Sequence, residues 1–141
     1  MRVLLDTSAL LQRYVPEGGQ GQVGRVLDQA SAVLVAATCK SEIVSGLNRV
    51  RRAGGLAETD YRDCLRTLDD EFGAFEVIPA DAAAERASIA ALESTAGLRA
   101  PQALHVGAAV AAHAHLFVTA DARQAEAARA AGLKTELIEA I

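Results

Sequence analysis

Met1-Arg2-Val3-Leu4-Leu5-Asp6-Thr7-Ser8-Ala9-Leu10-Leu11 opens the chain with an apolar run that turns abruptly polar. Val3 to Leu5 reads as a short strand buried on both faces, and Asp6-Thr7-Ser8 as the cap of a helix beginning near Ala9. A carboxylate at the end of a buried parallel strand stands where open α/β sheets bind their ligands. The same residue is also an ordinary helix cap. Its meaning depends on which other groups reach that edge.

Further along, short apolar runs are expected as strands at 32–35, 75–78, 116–119 and, at an edge, 135–138. Between them lie helical patterns at 22–30, 39–53, 56–72, 81–95 and 121–131, and one more entered through Leu98-Arg99-Ala100-Pro101 with Leu104, Ala108 and Ala111 inward. Pro16 and Gly18-Gly19 are expected to stop the first helix, with Gly18 to Gly21 as a mobile connection. Thr59 or Asp60 is expected near the start of the fourth helix. Strands alternating with helices through short turns predict a three-layer α/β/α fold with a mainly parallel sheet, and right-handed crossovers bring every strand C-terminus to one edge. With 141 residues and no linker or repeat, residues 1–141 read as a single domain.

The net charge of −4 argues against broad electrostatic binding of nucleic acid, while leaving room for a local basic patch or an acidic metal pocket. Cys39 and Cys64 form no C-x-x-C pair, Met1 runs directly into a strand, and no apolar stretch nears the roughly 20 residues that span a bilayer. These features lead us to expect a reduced, cytoplasmic protein away from membranes.

Three acids are expected on the shared edge: Asp6 after the first strand, Glu42 in the helix after the second, and Asp121 after the fourth. Each has a structural role available. Asp121 with Gln124 forms a capping-box pattern, and Glu42 suits the positive end of a helix. Together, however, converging carboxylates repel unless a cation neutralises them. Hard oxygen ligands select Mg²⁺ or Mn²⁺, a pairing suited to phosphodiester hydrolysis.

The ordered set Leu4-Leu5-Asp6-Thr7-Ser8-Ala9-Leu10, Ser41-Glu42-Ile43, Ala103-Leu104-His105 and Phe117-Val118-Thr119-Ala120-Asp121 resembles the PIN-domain ribonucleases, most closely the VapC-type toxins of bacterial toxin–antitoxin pairs. The resemblance covers essentially the whole chain. It implies that Asp6, Asp121 and Glu42 bind Mg²⁺ or Mn²⁺ and activate water for cutting RNA, with Thr119 and Ser8 beside the site. It further implies an antitoxin partner and a homodimer. One position departs from the pattern. Gln102 stands where the family usually carries Asp, keeping a carbonyl oxygen and losing the charge. Gln102 is therefore expected as a neutral neighbour of the ligands. The alternative is a catalytically impaired PIN-like binding module.

His105 lies one helical turn from Gln102 and is expected near the pocket, whereas His113 and His115 suit a helix end. Arg49, Arg51 and Arg52 close the Glu42 helix, where cations are favoured anyway. They lie some 10–15 Å along that helix from Glu42, a distance suited to RNA phosphates or an acidic partner segment. Arg99 is a second candidate phosphate ligand. A receiver-like or phosphatase fold is disfavoured, because no Lys follows a late strand and no Asp-Asp pair ends one.

Overall fold

The computed structural model describes residues 1–15 and 18–139. Among them the chain runs β1 (Arg2–Leu5), α1 (Thr7–Leu11), α2 (Gln20–Gln29), β2 (Ala32–Ala36), α3 (Cys39–Arg52) and α4 (Glu58–Gly73). It continues through β3 (Glu76–Ile78), α5 (Ala82–Ser94), α6 (Ala100–Ala111), β4 (Leu116–Thr119), α7 (Ala122–Ala130) and β5 (Thr135–Leu137). The strands form one sheet in the order β3-β2-β1-β4-β5, and every pairing is parallel.

Alternation along β1 divides the core. Val3 and Leu5 pack with Leu10, Val23, Ile43, Leu47 and Leu68 under α1 to α4, while Leu4 packs with Ala103, Val106 and Ala127 under α5 to α7. All three β1 side chains are at most 1% exposed. Burying such a residue on folding contributes about 1.5–3 kcal/mol, so the strand is committed to the centre of the sheet. The inward stripe of α3 is Cys39, Ile43 and Leu47, all fully buried.

Several boundaries move for identifiable reasons. The first helix begins at Thr7, not near Ala9, because Asp6 alone is the cap: its side chain accepts from the Ala9 N–H at 2.9 Å. That helix ends at Leu11, and the expected stop at Pro16 falls outside the described residues. Gly19 is a packed position at the start of α2, where a Cβ would come within 2.5 Å of Ile138. α4 starts after Ala57 without a side-chain cap, so Thr59 and Asp60 lie inside its first turn.

α6 buries more than the expected face. Ala103, His105, Val106, Gly107, Ala108 and Ala109 are all buried, whereas Leu104 and Ala111 are half-buried. The helix is enclosed by the sheet, α5 and α7. Gly107 permits the closest of these contacts, since a Cβ there would lie 2.3 Å from the Ala84 carbonyl oxygen.

The strand order sets the site. From β1 the chain winds outward through β2 to β3, then returns to β4 on the other side of β1. The C-terminal ends of β1 and β4 therefore flank the crevice at which doubly wound sheets bind ligands. Asp6 and Asp121 follow those two strands.

Candidate metal centre at the sheet switch point

Asp6 is completely buried at the N-terminus of α1. Its Oδ1 accepts from the Ala9 N–H at 2.9 Å and the Ser8 hydroxyl at 2.8 Å, and its Oδ2 accepts from the Thr119 hydroxyl at 2.5 Å. Ser8 Oγ and Thr119 Oγ1 stand 3.2 Å apart and accept from the Ala120 and Asp121 N–H groups respectively. The two hydroxyls therefore fasten the end of β4 to the start of α1. Burial pushes the Asp6 carboxyl above its usual range, outweighing the charge of His105 and the three hydrogen bonds, all of which act to lower it. An ionised Asp6 is thus held in a place that lacks a full compensating charge.

Asp121 caps α7, with Oδ1 accepting from the Arg123 N–H at 2.8 Å and the Gln124 N–H at 3.2 Å. The reciprocal half of the expected capping box is not made. The Asp121 N–H goes to Thr119 Oγ1, and the buried Gln124 Oε1 has no hydrogen-bond partner.

Glu42 sits in the first turn of α3, its side chain 28% exposed. Its Oε1 meets the Thr7 hydroxyl at 2.6 Å and His105 Nε2 at 2.7 Å. Burial works to raise its pKa. The hydrogen bonds from His105 and Thr7, with the His105 charge, outweigh burial and hold the carboxyl below its usual range. His105 is 2% exposed, and its Nδ1 has no partner.

α6 thus touches both outer acids one turn apart, Asp121 through Gln102 and Glu42 through His105. Gln102 is oriented from both ends. Its Nε2 donates to Asp121 Oδ2 at 2.8 Å, and its Oε1 accepts from the Arg99 N–H at 2.9 Å. The carbonyl oxygen that Gln102 keeps is consequently turned to the helix start, and the amide is what faces Asp121. Glu42, Gln102, His105 and Asp121 line one open cleft together with Thr7, Ser8 and Arg49.

The sequence matches the PIN domain family over residues 3–130. The chain belongs to the PIN domain family. No curated protein sequence matches it closely enough to count as a relative. Solved structures similar to it include VapBC of Salmonella typhimurium bound to DNA, at 16% identity and TM-score 0.70, covering 96% of this chain and 97% of that one. VapBC2 of Rickettsia felis, bound to a DNA fragment from its promoter, matches at 13% identity and TM-score 0.69, covering 97% of this chain and 98% of that one. VapC20 of Mycobacterium tuberculosis, a toxin that cleaves the sarcin–ricin loop, matches at 14% identity and TM-score 0.66, covering 89% of this chain and 94% of that one. The three-layer architecture expected from the sequence is therefore the PIN fold, with a sheet that is parallel throughout.

Within this PIN fold the donor set is compatible with a small hard cation. Two carboxylates, Glu42 and Asp121, open on one cleft, and Asp6 is buried beside it with only neutral hydrogen-bond donors in contact. Among the described residues no three His, Cys, Asp or Glu side chains stand ready-made around one point. Mg²⁺ commonly takes only one or two protein carboxylates and completes its shell with water and phosphate.

Thr7 is the participant that sequence reasoning missed. Its hydroxyl reaches Glu42 and lies 3.4 Å from His105 Nε2, yet in the sequence it is merely the residue beside Asp6. His113 and His115 lie away from the cleft. His115 Nδ1 accepts from the Arg2 N–H at 2.9 Å. Cys39 is a packing residue, its thiol pushed by burial up to about 12. Among the described residues no helix is long and apolar enough to cross a membrane.

Proposed function

We propose that this chain, one PIN-like domain over residues 1–141, is a metal-dependent endoribonuclease that hydrolyses RNA phosphodiester bonds as the toxin of a toxin–antitoxin pair. The observation that carries the reading is that Glu42 and Asp121 line one cleft at the switch point of the sheet, with the buried Asp6 joined to it through the Ser8 hydroxyl. Asp6 and Asp121 would hold Mg²⁺ or Mn²⁺, with Glu42 as a further ligand or the group that orients water. A bound ion supplies a water of lowered pKa and positive charge against the scissile phosphate. The chain's own residues set the geometry for this. Thr119 and Ser8 fix the Asp6 carboxylate, His105 and Thr7 fix Glu42, and Gln102 fixes Asp121.

An antitoxin partner, supported by the likeness of the fold to VapBC structures, completes the proposal together with a homodimer and a cytoplasmic setting. The test is cleavage of RNA in a Mn²⁺ titration. Cleavage that rises with Mn²⁺, stops with a chelator and disappears in Asp6→Asn is the expected result, and cleavage independent of metal refutes the reading.

A second reading, a PIN-like binding module with impaired catalysis, is favoured by one contact. The Gln102 amide satisfies Asp121 Oδ2 with a neutral hydrogen bond where the family's usual Asp would bring charge. It predicts a native chain without metal-dependent cleavage and a Gln102→Asp variant that gains it.

A further inference from the structure

The three arginines at the end of α3 do not form one group. Arg51 is engaged: it pairs with Glu58 at 3.2 Å, donates to Asn48 Oδ1 at 2.7 Å, and lies 4.2 Å from the centre of the Tyr61 ring. It joins α3 to α4. Arg49 and Arg52 are exposed, and among the described residues neither makes an ion pair or a side-chain hydrogen bond. Arg2, Arg13, Lys40, Arg62 and Arg66, by contrast, each pair with an acid. In a chain of net charge −4, two neighbouring guanidiniums left free are an unused cationic surface.

Their placement has a direction. Glu42, Ser45, Arg49 and Arg52 follow one another at three- and four-residue intervals, which puts them on one face of α3. By the helical rise, Arg49 lies roughly 10 Å and Arg52 roughly 15 Å along the axis from Glu42. Arg49 and Ser45 line both the acidic cleft and the groove beside it, and Arg52 lines the groove beyond. A continuous path therefore leads from the carboxylates, past a hydroxyl, to two free guanidiniums.

We infer that this face of α3 is the track for the RNA backbone, with Arg49 and Arg52 holding successive phosphates of a single strand on one side of the scissile bond. The inference rests on the ribonuclease reading and adds to it the path of the substrate. Guanidinium forks match phosphate oxygens in two-point contacts, and their charge offsets the repulsion between an acidic cleft and a polyanion. An acidic protein segment is the other class of molecule the patch could attract. RNA is favoured because the track is continuous with the carboxylates.

The test is equilibrium binding of a fluorescein-labelled oligo(U) in EDTA, so that cleavage does not enter. It compares the native chain, the double variant Arg49→Gln/Arg52→Gln, and the control Arg25→Gln/Arg129→Gln, which removes the same charge away from the cleft. Each single-strand phosphate contact contributes about 0.7 to the slope of log affinity against log salt. The track variant is expected to bind on the order of tenfold more weakly near 0.1 M salt, with a slope shallower by about 1.4, while the control stays close to native.

An unchanged slope in the track variant overturns the inference. So does an equal loss in the control, absence of RNA binding by the native chain, or loss of affinity confined to a poly-glutamate peptide. Thermal melting of each variant identifies any loss that comes from unfolding, and in that case Arg49→Lys/Arg52→Lys, which keeps both charges, must restore most of the native slope or the inference falls. RNA binding that behaves as expected without Mn²⁺-dependent cleavage refutes the ribonuclease reading alone.

Discussion

The Gln102→Asp substitution replaces the 2.8 Å donation from Gln102 Nε2 to Asp121 Oδ2 with a pair of facing carboxylates. At an effective dielectric near 20, two unit charges roughly 4 Å apart repel by about 4 kcal/mol, an upper bound for half-buried groups. Position 102 is the third residue of α6, where a negative charge regains about 0.3–1 kcal/mol from the helix terminus. Repulsion wins, and after screening a net loss of about 2 kcal/mol is expected in EDTA. For a chain of this size that is a fall of about 6 °C in Tm. Metal reverses the sign, because the added carboxylate becomes an added ligand. At a Mn²⁺ concentration about 100 times Kd, binding stabilises the folded state by about 2.7 kcal/mol. The assay is thermal melting of native and variant chains with EDTA and across a Mn²⁺ series. The variant should melt below the native chain without metal and show the larger upward shift with it. Coincident EDTA melts, or a Mn²⁺ shift no larger than the native one, would refute the assignment of Gln102 as a neutral neighbour of the metal ligands.

The pH dependence of stability separates Asp6 from Glu42. Because burial raises the folded-state pKa of Asp6 above 3.8, the stability it contributes is present below that value and is lost as pH rises through the folded pKa. Asp6→Asn should therefore gain on the native chain as pH rises above 3.8 in EDTA, as read by urea unfolding at each pH. Glu42 has the opposite sign: its folded pKa lies below 4.5, so its contribution is present above that value and is lost as pH falls through the folded pKa. Glu42→Gln should fall furthest behind the native chain near neutrality and approach it in acid. In the helical layer, Gly107→Ala drives a methyl group against the Ala84 carbonyl, a backbone atom that cannot swing aside, and should cost about 1–3 kcal/mol or more in a urea melt.

The sheet was legible because its strands are short, apolar and bounded by turn residues. β4 falls at 116–119 as expected, and the Asp6 and Asp121 caps both form. The inward face of α6 was not legible. Its pattern of Ala, Gly and Val gives little periodic contrast, and burial on several sides arises only once α5 closes on Gly107. At the site, strand-end acids could be read because topology alone brings Asp6 and Asp121 to one edge. Partnerships could not be read. That His105 belongs to Glu42, that Thr7 joins them, and that Gln102 turns its amide to Asp121 all depend on side-chain directions set by packing across three helices. The arginine cluster likewise divided only when Tyr61 and Glu58 of α4 claimed Arg51.

The central claim is that Asp6 and Asp121 share one metal ion. A crystal structure of the native chain grown with Mn²⁺, with diffraction recorded to give manganese anomalous differences, tests it most directly. A single anomalous peak within about 2.0–2.3 Å of an Asp6 oxygen and an Asp121 oxygen is the result the account predicts. A site that stays empty at saturating Mn²⁺, or a peak that touches neither carboxylate, would contradict it.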